Sequence, residues 1–339
     1  MSYRMTIPVM HCFNDKYSAP AAVAFLSMLE HAAKDCFFKL YVLHSDITED
    51  HQKMLHDVVS RFPNASLDFM HPDIDIIGIW AKVKSHCHYS ADLIYKLVAP
   101  NVFPQHSRLM VADVDVLYCD DISQDFVSFA SDDNLMAGHR ALKMKWLAGF
   151  GKQYFGDFSE EEYSKIEMGV NACYMIYNLD AMRREEIVKK AIDYFIENAW
   201  RIRQPEQDTM NIVCAGRITY LPLRTVICTY FWRVLEDDEK PAWKDAMEHP
   251  VQLHFPGPNK PWVDPGSVKS DLWWGYLART PFFYEVASQF SLTPRKSNWS
   301  IFGKVPFLEI FSRGEVSDVR LGRFLKLRQA VPFWRKNCC

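Results

Sequence analysis

Strand-like and helix-like apolar stretches alternate through the first third of the chain, and this alternation constrains the fold more than any other feature. The strand candidates are Thr6–Phe13, Phe37–Leu43, Ser66–Met70 and Arg108–Ala112. The helix candidates between them are Pro20–Ala33, Asp46–Phe62 and Ala91–Val98, the last expected to stop before Pro100. This order predicts an α/β fold in which helices cover both faces of a mostly parallel sheet.

Short polar motifs follow two of these strands. Asn14-Asp15 comes after the first strand, and Asp113-Val114-Asp115 comes after the fourth. In open parallel sheets, ligands collect at the carboxyl ends of the strands. We therefore expect a binding site at this edge of the sheet.

The composition excludes several classes of protein. Of 339 residues, 49% are hydrophobic and 24% are charged, which excludes a disordered or low-complexity chain. A net charge of -3 argues against a globally basic nucleic-acid binder. The nine cysteines are scattered without a C-x-x-C pair, which indicates a reduced intracellular protein rather than a disulfide framework. With no secretory signal or long apolar run in the sequence, we expect a cytoplasmic location.

The middle of the chain is less regular. Val170–Asn178 is a strand candidate and Met182–Trp200 is an amphipathic helix candidate. Two further short strands are expected at Ile218–Leu223 and Val251–Phe255. Residues 256–266 contain four prolines and two glycines, which predicts a structured loop.

Asp113-Val114-Asp115 is the first motif with chemical potential. Two carboxylates two positions apart at the end of a buried strand can bind a hard divalent cation. A second such pair, Asp73 and Asp75, lies in a proline-containing turn, where turn-capping aspartates are the simpler interpretation. The spacing of His86 and His88 is a poor match to a zinc site.

Three further segments carry polar groups near predicted strand or helix ends. In His254–Trp262, a glycine permits close backbone approach, and a lysine follows the histidine at a distance suited to a metal-bound diphosphate. Pro205–Asn211 opens a helix with Glu206, Gln207 and Asp208, and Asn171 precedes an apolar strand. Each segment alone is equally consistent with an ordinary loop, helix start or turn.

Together and in this order, the motifs resemble a bacterial glycosyltransferase of family eight, the retaining galactosyl- and glucosyltransferases of lipopolysaccharide assembly. The resemblance covers roughly residues 5–265. It is carried by Phe13-Asn14-Asp15-Lys16-Tyr17, Tyr95-Lys96-Leu97, Asp113-Val114-Asp115, Asn171-Ala172, Glu206-Gln207-Asp208 with Asn211, and His254-x-x-Gly257-x-x-Lys260-Pro261-Trp262. It implies a GT-A fold, a UDP-hexose donor (UDP-glucose or UDP-galactose), Mn²⁺ or Mg²⁺ as the metal, and a lipid-linked glycan as the acceptor.

The resemblance also implies roles for particular residues. Those that would ligate the metal are Asp113, Asp115 and His254. Those that would bind the donor's nucleotide and diphosphate are Asn14, Asp15, Tyr17, Lys96, Val114, Gly257 and Lys260. Those that would surround the transferred sugar are Asn171, Ala172, Glu206, Gln207 and Asp208. Gln207 or Asp208 is the candidate for the catalytic group at the anomeric face, through a covalent intermediate or a same-face internal return.

Several positions depart from the family pattern. Asn14 stands where an acidic residue is common, and Cys173 replaces a usual glycine. Lys96 stands where arginine is usual, so the charge is kept but the bidentate fork is lost. Arg140 falls where some relatives place an acceptor-binding carboxylate, and His88 aligns with a pocket position, so these two are the implied acceptor contacts.

The C-terminal segment differs in charge from the rest of the chain. Six of the 39 basic residues and none of the 42 acidic ones lie in 319–339, interleaved with apolar and aromatic side chains. We expect a catalytic domain over 1–275 and a helical, aromatic and basic tail over 276–339 that binds the anionic inner face of the plasma membrane. A packed C-terminal helix and a nucleic-acid-binding tail are the alternatives.

The sequence therefore predicts a metal-dependent, retaining hexosyltransferase that acts on a bacterial cell-surface glycan such as lipopolysaccharide core and binds no nucleic acid. The alternatives are a catalytically inactive sugar-binding homologue and an enzyme that hydrolyses or forms nucleotide sugars. Neither a P-loop nor a second carboxylate cluster accompanies the Asp113 motif, which disfavours the last of these.

Overall fold

The computed structural model describes residues 3–81, 90–129, 133–140 and 156–291. The strands are β1 (Met5–Cys12), β2 (Cys36–Leu43), β3 (Ala65–Met70), β4 (Arg108–Ala112), β5 (Val116–Tyr118), β6 (Met136–Arg140), β7 (Val170–Asn178), β8 (Ile218–Leu221), β9 (Ile227–Cys228) and β10 (Gln252–His254).

Helices connect these strands. Those before residue 130 are α1 (Ser18–His31), α2 (Glu49–Val59), α3 (Ile76–Ala81), α4 (Ile94–Val102) and α5 (Ser123–Ser128). Those that follow are α6 (Glu160–Glu167), α7 (Leu179–Arg184), α8 (Ile187–Asn198), α9 (Pro205–Val213), α10 (Phe231–Val234), α11 (Lys240–Glu248), α12 (Ser270–Leu277) and α13 (Phe283–Ser291). Single 3₁₀ turns lie at Asp15–Tyr17, Ala91–Leu93 and Leu223–Thr225.

The central sheet has seven strands in the order β3-β2-β1-β4-β7-β6-β8. All the pairs are parallel except β4 with β7 and β6 with β7. The predicted mostly parallel sheet is therefore confirmed. The chain order reverses between β1 and β4, and such a switch point opens a crevice at the carboxyl ends of the two strands.

Apolar side chains fill both faces of this sheet, as the helices on both sides require. Alternate residues of β1 illustrate the division, since Ile7 and Val9 face one core and Met10 faces the other. The first core includes α1, with Phe25 fully enclosed, and the second includes α4 and α8, with Phe195 fully enclosed.

A second sheet, in the order β5-β10-β9, supplies the rest of the site. β10 runs antiparallel to β5, and His254 lies opposite Val116. The Phe255 N–H also donates to the Asp115 carbonyl at 2.9 Å. This pairing places His254 beside a motif that lies far from it in the sequence.

Two expectations about helices were wrong. The predicted helix Met182–Trp200 is two helices, α7 and α8, because Glu186 adopts a left-handed backbone with a φ of 53°. The predicted stop before Pro100 is also absent, since α4 continues to Val102. Pro100 sits in the last turn, where its carbonyl accepts a hydrogen bond from Arg183 at 2.9 Å.

The described chain after residue 275 packs on the first core. The predicted boundary falls inside α12, and Leu277, Phe282 and Val286 are buried there. The basic segment 319–339 lies outside the described residues, so the division into domain and tail stays a prediction. In the described ranges, the helices are too short or too polar to cross a bilayer.

Candidate active site

Three predicted metal ligands meet at the sheet edge. Asp113 and Asp115 follow β4, and His254 ends β10, and one ligand atom from each lies within 4.8 Å of the others. The Asp115 Oδ1 atom is 3.5 Å from His254 Nε2. Carboxylate oxygens with an imidazole nitrogen form a donor set that suits Mn²⁺. The residues present therefore fit the metal that the family resemblance implies.

The surroundings of His254 orient its ring. The Nδ1 atom lies 3.6 Å from Cys228 Sγ, so Nε2 faces the carboxylates. In metal sites, a residue that is not itself a ligand commonly holds the ring of a ligating histidine in place. The His254 carbonyl also accepts from the Thr229 N–H at 2.9 Å, which holds the backbone of this residue.

Lys96 ties two parts of the site together. Its ammonium group is fully buried and donates to Asp113 Oδ1 at 2.5 Å, to Glu206 Oε1 at 3.0 Å and to the Ala172 carbonyl at 3.2 Å. These three acceptors satisfy the three N–H groups of the ammonium. Lys96 therefore fixes the Asp113 motif relative to the first turn of α9, and its predicted contact with the donor stays a prediction.

Lys260 approaches the aspartates from the opposite side. Its ammonium group donates to Asp115 Oδ2 and lies 5.7 Å from the centroid of the Trp262 ring. Gly257, earlier in the same loop, has a φ of 74°, a conformation that favours glycine. The Trp262 ring in turn meets Tyr17 edge to face at 5.9 Å. The loop thus links Tyr17 to Lys260 and Asp115.

The pKa values of the two aspartates diverge. Burial raises the pKa of Asp113, and the opposing effect of Lys96 does not cancel it. Burial acts in the same direction on Asp115, but the nearby charges of Lys260 and His254 outweigh it and hold the Asp115 pKa well below its usual range. Asp115 is accordingly the more strongly stabilised anion of the pair.

The first turn of α9 presents the predicted sugar-facing groups. Pro205 is the first helical residue, a position where its missing N–H costs no hydrogen bond. Gln207 Oε1 accepts from the Ala172 N–H at 2.9 Å, so the Gln207 side chain lies against β7. Asn171 Oδ1 accepts from the Cys173 N–H at 2.9 Å. The structure thus brings Asn171, Ala172 and Gln207 together.

Asn211 fixes α9 against the start of β7. Its side-chain amide bonds both the N–H and the carbonyl of Val170, each at 2.9 Å. A Cβ atom at Gly169 would lie 2.2 Å from the Asn211 side chain, so only glycine permits this approach.

Asp208 occupies a different environment from Gln207. Its side chain is fully buried, and Oδ2 accepts from the backbone N–H groups of Arg203 and Gln204 at 2.9 Å. Burial raises the pKa of Asp208 to about 7, against the opposing effect of these two hydrogen bonds. Of the two candidates for the anomeric face, Gln207 is the less enclosed.

The predicted nucleotide-binding residues follow β1. Asp15 Oδ1 accepts from the Thr48 N–H at 2.9 Å and lies 2.8 Å from His51 Nδ1. Burial alone would raise the Asp15 pKa, but the hydrogen bonds from Thr48 and His51 lower it. Asn14 Oδ1 is buried and has no hydrogen-bond partner among the described residues.

Of the two residues implied as acceptor contacts, the structure describes one. Arg140 ends β6 at the same sheet edge as the aspartates, and His88 lies outside the described residues. The sequence did not single out Cys228 or Tyr220, which contact His254 and Arg140 respectively. Cys228 lies on a strand of two residues and Tyr220 on a strand of four, so no local sequence pattern marks either residue.

The comparisons with known proteins agree with this geometry. A model for Glycosyl transferase family 8 matches residues 8–266. A Haemophilus influenzae protein whose name assigns it as a glycosyltransferase is 21% identical over 260 residues, which are 74% of this chain and 71% of that protein.

Solved structures show the same fold. The galactosyltransferase LgtC, in complex with donor and acceptor sugar analogs, matches with a TM-score of 0.60 and 21% identity over 81% of this chain and 96% of LgtC. The bifunctional glycosyltransferase WbbM matches with a TM-score of 0.68 and 21% identity over 85% of this chain. This chain spans 52% of the WbbM chain. GlyE of Streptococcus pneumoniae matches with a TM-score of 0.56 and 18% identity over 88% of this chain and 66% of GlyE.

The fold is the GT-A fold of these solved structures, and the Asp-Asp-His cluster lies at its sheet edge. Because the family model covers most of the sequence, the chain belongs to glycosyl transferase family 8. The predicted resemblance is therefore confirmed. The family implies a nucleotide-sugar donor, a divalent metal and a glycan acceptor.

Proposed function

We propose that this enzyme is a retaining hexosyltransferase that moves glucose or galactose from a UDP-sugar to a bacterial cell-surface glycan such as lipopolysaccharide core. The observation that carries the proposal is the convergence of Asp113, Asp115, His254 and Lys260 at one point of the crevice. Two carboxylates, an imidazole and an ammonium group suit a metal-bound diphosphate.

The metal would be Mn²⁺ or Mg²⁺ held by Asp113, Asp115 and His254. When bound, such a cation stabilises the negative charge that develops on the leaving diphosphate. Lys260 supplies a second positive charge to the same oxygens, and its loop already holds the ammonium group beside Asp115. Charge stabilisation that grows toward the transition state lowers the barrier.

The nucleotide would lie along the wall formed by Asn14, Asp15 and Tyr17. The buried Asn14 oxygen supports this placement, as does the packing of Tyr17 on the Trp262 side chain of the lysine loop. In the proposed reaction, this wall holds the uridine while Lys260 holds the diphosphate.

Gln207 is the proposed group at the anomeric face of the sugar. The hydrogen bond from Ala172 orients its side chain, and Glu206 beside it is held by Lys96. An amide oxygen at this face stabilises the oxocarbenium-like centre without itself carrying a proton. Asp208, enclosed by backbone donors, supports the turn that presents Gln207.

The proposed acceptor is a lipid-linked glycan at the inner face of the plasma membrane. This part of the proposal rests on the basic and aromatic composition of 319–339. It predicts that truncation after about residue 311 keeps turnover and loses binding to anionic liposomes. Unchanged liposome binding by the truncated protein would contradict it.

The enzyme assay is release of UDP from a panel of UDP-sugars by the full chain with Mn²⁺. We expect UDP-glucose or UDP-galactose to be consumed, and the Asp115→Ala variant to lose the Mn²⁺-dependent rate while keeping the circular dichroism spectrum of a folded protein. An exposed-site control, Asp50→Ala on α2, should keep full rate.

Each alternative has its own result in this assay. A sugar-binding homologue without activity would bind UDP-sugar and release no UDP. A hydrolase would release UDP at the same rate whether or not a glycan acceptor is added. Near wild-type turnover by Asp115→Ala would contradict the assignment of Asp115 as a metal ligand.

A further inference from the structure

Arg140 is half-buried and, unlike the charged groups around Asp113 and Asp115, has no acidic partner in the described part of the chain. Its Nη2 atom contacts the Met168 sulfur at 2.7 Å, and thioether sulfur is a weak acceptor. Its Nε atom is buried and makes no hydrogen bond there. A guanidinium group in this state retains most of its capacity to bind an anion.

An aromatic ring supports this guanidinium. The carbon of the Arg140 guanidinium lies 5.4 Å from the centroid of the Tyr220 ring, in cation–π range. The Tyr220 hydroxyl donates to the Met168 carbonyl at 2.5 Å, so the ring is held in place although 42% of the residue is exposed. An exposed aromatic face next to a cation can receive the apolar face of a sugar ring while the cation binds a charged substituent.

The sheet topology places this pair beside the proposed sugar position. Arg140 lies opposite Val170 in the β6–β7 register, and the next residues on β7 are Asn171 and Ala172. The register shifts between Gly138 and Arg140, and such irregularities redirect side chains. β7 separates Arg140 from β4 and its aspartates, so the guanidinium lies on the side away from the proposed diphosphate.

We infer that Arg140 and Tyr220 form an acceptor subsite for an anionic sugar, one that bears a carboxylate or a phosphate group. The inference rests on the proposed function and names the chemical class of its acceptor. The planar fork of the guanidinium matches both anions in bidentate geometry, and Tyr220 stacks on the ring that carries the anion. A neutral acceptor would leave the guanidinium group, including its buried Nε atom, without a charged partner.

The test measures sugar binding to the full chain by ligand-observed NMR, with Mn²⁺ and UDP present. The probes are galacturonate, galactose 6-phosphate and neutral galactose. We expect one or both acidic sugars to bind about tenfold more tightly than galactose, as a charge-assisted bidentate contact predicts. The stronger of the two identifies a carboxylate or a phosphate as the recognised group.

Variants assign this preference to Arg140. Arg140→Gln should reduce the preference to within about twofold, and Arg140→Lys should retain part of it because the charge remains without the fork. Tyr220→Leu should weaken the binding of acidic and neutral sugars alike. The matched control is Arg184→Gln, which alters an exposed arginine at the end of α7 and should keep the preference.

Equal affinity of the wild-type protein for the three sugars would overturn the inference, and so would an acidic preference that persists in Arg140→Gln. UDP affinity is measured alongside. A loss of UDP affinity in Arg140→Gln as large as the loss for acidic sugars would assign Arg140 to the donor and also overturn it. A wild-type chain that fails to bind UDP would instead count against the proposed function. The affinities for the three sugars would then be measured without UDP, and the same criteria would apply to the inference.

Discussion

The crevice has two ends that neutralise charge in opposite ways. At the aspartate end, formed by Asp113, Asp115, Glu206 and the residues that contact them, each carboxylate has a nitrogen partner inside the protein. At the arginine end, formed by Arg140 and Tyr220, the cation has a sulfur and a ring as neighbours. The charges of the aspartate end are paired before any ligand binds. Among the described residues the arginine end has no acidic partner, and in the inferred acceptor complex the bound anion supplies one.

This difference predicts different costs of substitution. Removing one member of a buried ion pair leaves an uncompensated charge, and the cost is large. Arg140 has no carboxylate partner among the described residues, so its removal leaves no unpaired charge on them.

Replacing Lys96 with Met should lower the free energy of unfolding by roughly 3 to 5 kcal/mol, because Asp113 and Glu206 would lose their shared buried cation. Urea unfolding monitored by circular dichroism measures this change. The matched control is Lys165→Met, which breaks the exposed pair with Glu161 and should cost less than about 0.5 kcal/mol. Equal costs for the two variants would contradict the ion-pair account of the aspartate end.

Replacing Asp208 with Asn should change how stability depends on pH. The Asp208 pKa of about 7 lies above its unfolded value, so the stability that the protonated group contributes is complete below the unfolded pKa and is lost as pH rises through 7. Between pH 5 and pH 8, the wild-type protein should lose on the order of 3 kcal/mol relative to Asp208→Asn, which does not titrate. Parallel pH profiles in urea unfolding would contradict a raised pKa at Asp208.

Replacing Lys260 with Gln should act in opposite directions on two measurements. Turnover of the UDP-sugar should fall about 100-fold, because a positive charge that faces the leaving diphosphate is lost. The affinity for Mn²⁺ alone should stay the same or rise several-fold, because the ammonium group no longer competes for Asp115. The control is Lys244→Gln on the exposed face of α11. A parallel loss of turnover and Mn²⁺ affinity would show that Lys260 supports the metal ligands instead.

Replacing Arg140 with Gln should change the free energy of unfolding by less than about 1 kcal/mol, since no carboxylate is left unpaired among the described residues. The same urea experiment as for Lys96 gives the comparison directly. A loss as large as that of Lys96→Met would show that Arg140 is part of a buried ion pair and would remove the contrast between the two ends.

The sequence alone predicted the features that have a strong local signal. β1, β2, β3 and β4 follow from apolar runs bounded by turn residues, and the Asp113 motif comes directly after the end of β4. The predicted meeting of His254 with Asp113 and Asp115 came from the family resemblance. The structure gives its physical cause, the antiparallel pairing of β10 with β5.

Other features have signals too short or too distant to find in the sequence. β5 and β9 have three and two residues, which is too few for a recognisable alternation, whereas β10 lies within the strand predicted at Val251–Phe255. The break between α7 and α8 depends on the left-handed backbone of Glu186, a residue type without a preference for that conformation. The complete enclosure of Lys96 arises from acceptors 17 and 110 positions away, so no local pattern predicts it.

In the proposed function, the aspartate end holds a divalent cation together with a nucleotide diphosphate. The test is binding of Mn²⁺ to the full chain with and without UDP, measured by the loss of the free-ion signal in electron paramagnetic resonance. We expect about one Mn²⁺ per chain that binds more tightly when UDP is present, and loss of that site in Asp115→Ala but not in Asp50→Ala. Mn²⁺ binding by Asp115→Ala equal to that of the wild-type protein, or binding that UDP leaves unchanged, would contradict it.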